Sequence, residues 1–275
     1  EAFKAILLSD ENLEENYKIF SKVLADDLEK VIDKNPNRKI RVRLLDLPAN
    51  ELFSDADDLK KIKMLYGYAR GVQMAQRRPE IYQAQVEAIL TQVKKHPEVK
   101  GIEILVPTVR NLNELRFAKD IVDEAAEKLH LSKNTYKFGS MIETLDACSN
   151  IEALVPLCDF VNFGCNDLTS EIFTCSRCDG ESIKELCDKN GGINPFYILH
   201  KDVKNKITEV SRKIKSLKPE IDICVCGDNI MTDYHLFYFQ RDSLIDSVSF
   251  PPNPKFMYKA RLNYNSAILS SIEEM

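Results

Sequence analysis

Asp159-Phe-Val-Asn-Phe163, running straight into Gly164-Cys-Asn-Asp167, is a short β-rich apolar run that ends in an amide and a carboxylate. The same design stands one unit earlier, where Tyr136-Lys-Phe-Gly-Ser-Met-Ile142 runs into Glu143. Working outward, Ile40-Arg-Val-Arg-Leu-Leu-Asp46, Gly101-Ile-Glu-Ile-Leu-Val106, Asp222-Ile-Cys-Val-Cys226 and Ser247-Val-Ser-Phe250 read as further strands, because β-branched and aromatic residues crowd into short runs. Between them lie segments of helical period. Val203, Ile207, Val210, Ile214 and Leu217 step by three and four onto one face. Asn111 and Glu114 form a capping-box pattern opening a helix that carries Leu115, Ala118, Val122, Ala125 and Leu129 on one stripe. Strand alternating with helix is the grammar of a parallel α/β fold.

Polar residues recur near the expected strand C-terminal ends. Arg43 to Arg70, Glu143 to Asp167 and Cys226 to Phe250 are separated by 27, 24 and 24 residues, close to the roughly 30 that one βα unit of an eightfold barrel occupies. This spacing favours a (β/α)8 TIM barrel over an open sheet. The 275 residues suit either one barrel of about 250 residues or two domains of about 150. No linker, internal repeat or low-complexity tract divides the chain, so the expectation is a single domain over 1–275, with 1–38 as a helical lead-in and 170–195 as a long functional loop. That last stretch is rich in Gly, Asp, Asn and Cys and poor in periodicity.

Composition narrows the function classes. Lys plus Arg number 38 against 43 Asp plus Glu, a net charge of -5, which leaves no electrostatic footprint for nucleic acid or an anionic membrane. No apolar run reaches the ~18 residues of a membrane span, and no signal pattern opens the chain. A soluble, cytoplasmic protein is expected. All eight cysteines lie in the second half; in a long chain without a signal pattern they read as reduced thiols. The chain opens on Glu1 rather than Met, as a piece of a longer polypeptide would.

Three sets of residues could carry chemistry. Glu143 and Asn166-Asp167 follow successive strands, and a hard cation such as Mg²⁺ takes one or two protein carboxylates with water and ligand oxygens. On spacing alone the two carboxylates read equally well as caps of the following helices. Arg43 and Arg70, read as strand-end residues, together with Arg177 in the long loop, form a set suited to a small phosphorylated acid, although any one of them alone reads as a surface residue. Cys226, before Gly227-Asp228, closes a strand and could act as a general acid or be a small buried hydrophobe. Cys175-Ser-Arg-Cys178 with Cys187 nearby has thiols at metal-ligand spacing but lacks the second pair a zinc site needs. His96, His130, His200 and His235 share no catalytic spacing and read as helix-end or surface residues. No glycine-rich phosphate loop is present.

Taken in order, Arg43-Leu-Leu-Asp46, Arg70-Gly71 with Arg78-Pro-Glu80 and Gln85, Val106-Pro107 before Glu114-Leu115, Gly139-Ser-Met-Ile-Glu143, Phe163-Gly-Cys-Asn-Asp-Leu-Thr169 and Cys226-Gly-Asp228 resemble the C-terminal phosphoenolpyruvate/pyruvate-binding barrel of the PEP-utilising enzymes. The run Arg43 to Phe53, Ser176-Arg177 and Asn194-Pro-Phe196 look more like the pyruvate, phosphate dikinase branch than like enzyme I of the sugar phosphotransferase system or phosphoenolpyruvate synthase. The resemblance implies Mg²⁺ on Glu143 and Asp167, a phosphoryl clamp of Arg43, Arg70, Asn166 and Arg177, a substrate contact at Cys165, and Cys226 as the proton donor at C3. It further implies a homodimer, and a phosphohistidine domain and an ATP-binding domain elsewhere, since this chain has no Thr-Ser-His motif. Asp228 stands where the family usually has Glu, Cys165 where it has Thr, Ser170 where it has Gln, and Gln73 where it has a second arginine. Those departures leave open a catalytically silent PEP-binding module; a Mg²⁺-dependent lyase acting on a pyruvate enolate is the other alternative.

Overall fold

A computed structural model describes residues 2–9, 11–36, 38–46, 55–67, 69–99, 101–232, 235, 238–239 and 241–250. The Leu47 to Phe53 part of the motif that begins at Arg43 lies outside the described residues. The chain divides into two compact units, Glu1–Ser140 and Met141–Met275.

The first unit runs α1 (Ala2–Leu8), α2 (Leu13–Lys34), β1 (Ile40–Arg43), α3 (Ala56–Tyr66), α4 (Gly71–Arg77), α5 (Glu80–Lys95), β2 (Ile102–Val106) and α6 (Leu112–Lys128), and ends within β3 (Lys137–Ile142). The strands pair in parallel in chain order, with Val42 beside Ile104 and Ile104 beside Phe138. All five residues of β2 are buried, which explains a run with no polar alternation: a parallel strand is covered on both faces. The exception inside it is Glu103, whose register neighbours are Arg41 and Lys137. Arg41 meets its carboxylate at 2.6 Å, so the strand buries a charge already paired. The helical lead-in expected over 1–38 holds α1 and α2, and α2 packs on α5.

Helix α6 begins as its sequence requires. Asn111 Oδ1 accepts from the backbone N–H groups of Asn113 and Glu114 at 3.0 and 3.1 Å. Glu114 accepts from the Arg110 N–H at 2.6 Å, so the reciprocal bond closes one residue before the cap. The expected stripe is rotated slightly: Ile121 and Ala126 are buried, while Ala125 and Leu129 are half-buried. Asn111→Ala is expected to cost about 1 kcal/mol of stability, read from urea unfolding; an unchanged midpoint would remove the cap from the account of this helix.

The second unit holds α7 (Leu145–Ser149), α8 (Ile151–Leu154), β4 (Phe160–Gly164), α9 (Cys165–Phe173), α10 (Gly180–Lys189), α11 (Lys201–Leu217), β5 (Asp222–Cys226) and β6 (Ser247–Ser249). Again the strands pair in parallel, Phe160 to Asp222 through Gly164 to Cys226, then Cys224 to Ser247. On α11, Val203, Ile207, Val210 and Ile214 are buried as the period predicts, against α8 and α9. Leu217 is the exception, 49% exposed at the helix end. The Lys215 ammonium donates to Ile221 O at 2.8 Å and to Asp246 at 2.9 Å, fastening the helix end to the entry of β5.

Three expectations are corrected. The stretch 170–195 is not one long loop: it contains the end of α9 and all of α10, which Asp179 caps by accepting from Glu181 and Ser182 N–H. Arg70 ends no strand; it is the residue before α4. His235 is buried rather than at the surface. Six strands stand among the described residues, and no described helix is long and apolar enough to cross a membrane.

Candidate active site

In the first unit, Arg43 closes β1 and is exposed. Arg70 is held by a residue the chemical reading left without a role: its Nε donates to Asp46 Oδ1 at 2.9 Å and its Nη2 to Oδ2 at 2.8 Å. This two-pronged pair fixes the plane of the guanidinium. Asp46 itself is buried, and Tyr82 and Gln85 of α5 hold the backbone of Leu45 beside it. The signal was the fourth residue of the Arg43-Leu-Leu-Asp46 motif. Gln73, where a second arginine was expected, donates to Thr108 O at 2.8 Å. Thr108 adopts φ 54, a left-handed conformation costly for a β-branched residue, so Gln73 braces a strained turn after β2.

In the second unit, Glu143 follows β3 and is 1% exposed. It does not cap the next helix, because Thr144 does so by accepting from Ala147 N–H at 3.0 Å. Gly164 makes room for it: a Cβ added there would stand 2.5 Å from Glu143 Oε2. Asp167 lies in the first turn of α9, where a negative charge suits the helix dipole. A carboxylate oxygen of Glu143 and one of Asp167 lie within 4.8 Å of each other. Two anions that close, one of them buried, repel unless a cation or a proton sits with them. An all-oxygen pair of this kind fits a hard divalent cation.

The β4–β5 register brings the remaining residues together, since Gly164 lies beside Cys226. Cys226 closes β5, and its thiol donates to Phe163 O at 3.3 Å. Cys165 is 0% exposed. Burial, then the neighbouring Cys226 and Cys224, push its thiol well above the ordinary range, so it stays neutral. Asn166 Nδ2 donates to Asp228 Oδ2 at 2.9 Å, and the Asp228 N–H donates to Asn166 Oδ1 at 3.1 Å. Arg177 Nη1 stands 3.7 Å from the same Asp228 oxygen. Gly227, at φ 149, carries the close approach: a Cβ there would meet Cys165 Cβ at 2.8 Å.

The other candidates fall away from this centre. Cys175 is buried in a small apolar cluster with Leu186 and Phe196. Cys178 is exposed and Cys187 half-buried, and the three thiols form no ligand set among the described residues. His200 caps α11 through Asp202 N–H at 3.2 Å, and burial lowers the pKa of His235.

Residues 6–262 match the family described as "PEP-utilising enzyme, PEP-binding domain". The chain is 27% identical over 248 residues to pyruvate, phosphate dikinase of Rickettsia bellii (strain RML369-C), covering 78% of this chain and 28% of that protein. It is 30% identical over 189 residues to pyruvate, phosphate dikinase of Clostridium symbiosum, covering 65% of this chain and 22% of that protein. The chain thus matches about a quarter of the length of these curated relatives. Among solved structures, a citrate lyase from Burkholderia xenovorans LB400 has a similar fold, with a TM-score of 0.51 at 12% identity over 88% of this chain and 73% of that one.

Proposed function

The chain belongs to the PEP-binding domains of the PEP-utilising enzymes, and from that premise we propose that it carries the pyruvate half-reaction of a pyruvate, phosphate dikinase. It binds phosphoenolpyruvate or pyruvate with Mg²⁺ and exchanges a phosphoryl group with a phosphohistidine on a separate domain. The observation that carries this reading is the carboxylate pair, Glu143 and Asp167, with oxygens within 4.8 Å. In the same reading, strand–helix alternation is completed to an eightfold barrel over 1–275, and the parent protein is a cytoplasmic homodimer that also contains an ATP-binding domain.

Mg²⁺ held by Glu143 and Asp167 would supply positive charge to the carboxylate and phosphate oxygens of phosphoenolpyruvate. Arg43, Arg70, Asn166 and Arg177 bind the phosphoryl oxygens, with Arg70 oriented by Asp46 and Cys165 as a further substrate contact. Such a transfer depends mostly on positioning and charge. As the phosphoryl group leaves for histidine, the P–O bond breaks and its electron pair stays on oxygen as the enolate. The enolate C3 then takes the proton from the Cys226 thiol, giving pyruvate and a thiolate that solvent reprotonates. In the reverse direction Cys226 removes that proton.

Proton NMR of pyruvate in D₂O tests the reading, because C3 exchange needs neither the histidine nor ATP. Mg²⁺-dependent loss of the methyl signal is the expected result. PEP binding without exchange would instead make the chain a silent PEP-binding module. Aldehyde addition to the enolate would make it a lyase. Absence of both binding and exchange would overturn the assignment.

A further inference from the structure

We propose that Asp228 is the positioning residue for Asn166, selecting which end of the Asn166 amide faces the phosphoryl group; this rests on the function proposed above. The two residues are 62 positions apart and are joined by two hydrogen bonds. In one, Asn166 Nδ2 donates to the Asp228 carboxylate at 2.9 Å. In the other, the Asp228 backbone N–H donates to Asn166 Oδ1 at 3.1 Å. A backbone N–H can only donate and a carboxylate only accepts, so the amide has one orientation that satisfies both. A flipped amide would set donor against donor and acceptor against acceptor.

The consequence concerns what Asn166 has left. With one N–H and one lone pair engaged by Asp228, its second N–H is held in a fixed direction as a donor. An anionic phosphoryl oxygen needs a donor there, whereas a freely flipping amide would present its own oxygen half of the time. The negative charge that does the orienting is itself poor company for an anion. Arg177, at 3.7 Å from the same carboxylate oxygen, offsets it and is drawn to the same end of the site. Both side chains are about half exposed, so the pair adds little stability of its own, and its value lies in geometry.

The support under Asp228 is rigid. Asn229, 0% exposed, donates to Thr169 Oγ1 at 3.0 Å and to Pro195 O at 3.1 Å, while its carbonyl accepts from Leu199 N–H at 2.9 Å. Thr169 in turn donates to Cys165 O at 2.7 Å. The segment after β5 is therefore fastened to the same helix, α9, that carries Asn166. Asp228 meets Asn166 across a fixed gap, as an orienting group must.

Two ligands separate orientation from general damage, since PEP carries the phosphoryl group and pyruvate does not. By calorimetry with Mg²⁺, Asp228→Ala is expected to weaken PEP binding about 10-fold. The KM of pyruvate in methyl-proton exchange should stay within about 2-fold, because it does not depend on the amide's donor. Asp228→Asn loses the charge but keeps an acceptor oxygen, so PEP affinity should return to within about 2-fold of wild type. Asn166→Ala should weaken PEP about as much as Asp228→Ala, and the double variant no more than either, the signature of two residues acting as one unit. Additive losses, equal damage to PEP and pyruvate, or no effect of Asp228→Ala would each overturn the proposal while leaving the function standing. Failure of wild type to bind PEP would remove the function first and this inference with it.

Discussion

Glu143→Gln is expected to weaken Mg²⁺ binding at least about 100-fold, more than changes that merely orient metal ligands typically cost. Glutamine matches the shape of glutamate, and the tight fit against Gly164, where an added Cβ would stand 2.5 Å from Oε2, is kept. The anionic oxygen is lost, and Asp167 is left as one carboxylate where two lay within 4.8 Å. Hard cations that retain most of their water depend on one or two such anionic ligands. The readout need not be catalytic. A cation at 100 times its Kd stabilises the folded state by about 2.7 kcal/mol, and a site 100-fold weaker gains only about 0.4 kcal/mol at the same concentration, so Mg²⁺ should raise the melting temperature of wild type several-fold more than that of Glu143→Gln. An equal rise in both would place the cation elsewhere and sink the role of Glu143.

Cys226→Ala separates binding from proton transfer. The thiol closes β5, where a hydrogen bond to Phe163 O at 3.3 Å fixes its direction. General acid–base groups typically contribute about 10²- to 10⁴-fold, and the exchange of pyruvate methyl protons should fall by that factor. PEP affinity should remain within about 2-fold, since no clamp or metal contact is removed. Full exchange in this variant would assign the proton to another group.

Much of the fold was legible along the chain. The six strands fall on six runs of β-branched and aromatic residues; β2 and β4 are buried along their whole length, because a parallel strand covered on both faces is mostly apolar, whereas the partly exposed β1 and β6 were legible from their β-branched residues alone. Helix α11 was legible from Val203, Ile207, Val210 and Ile214 because one buried face imposes the 3.6 period. Helix α10 was not: only Leu186 is buried on it, and a helix with so narrow an apolar stripe leaves little period to read. Its cap, Asp179, was the signal available.

The site divides in the same way. Ordered motifs named Arg43, Arg70, Glu143, Asn166, Asp167, Arg177 and Cys226, since the chemistry attributed to each depends on its residue type. What each one touches was decided only by the tertiary structure. The helix after Glu143 is capped by Thr144; a partner of Arg70 is Asp46, 24 residues away; a partner of Asn166 is Asp228, 62 away. A local period reports which face of an element is buried, and it repeats within a few residues. A contact between distant side chains depends on strand register and on how each side chain is held, such as Gly164 falling beside Cys226, and these are settled when the elements pack.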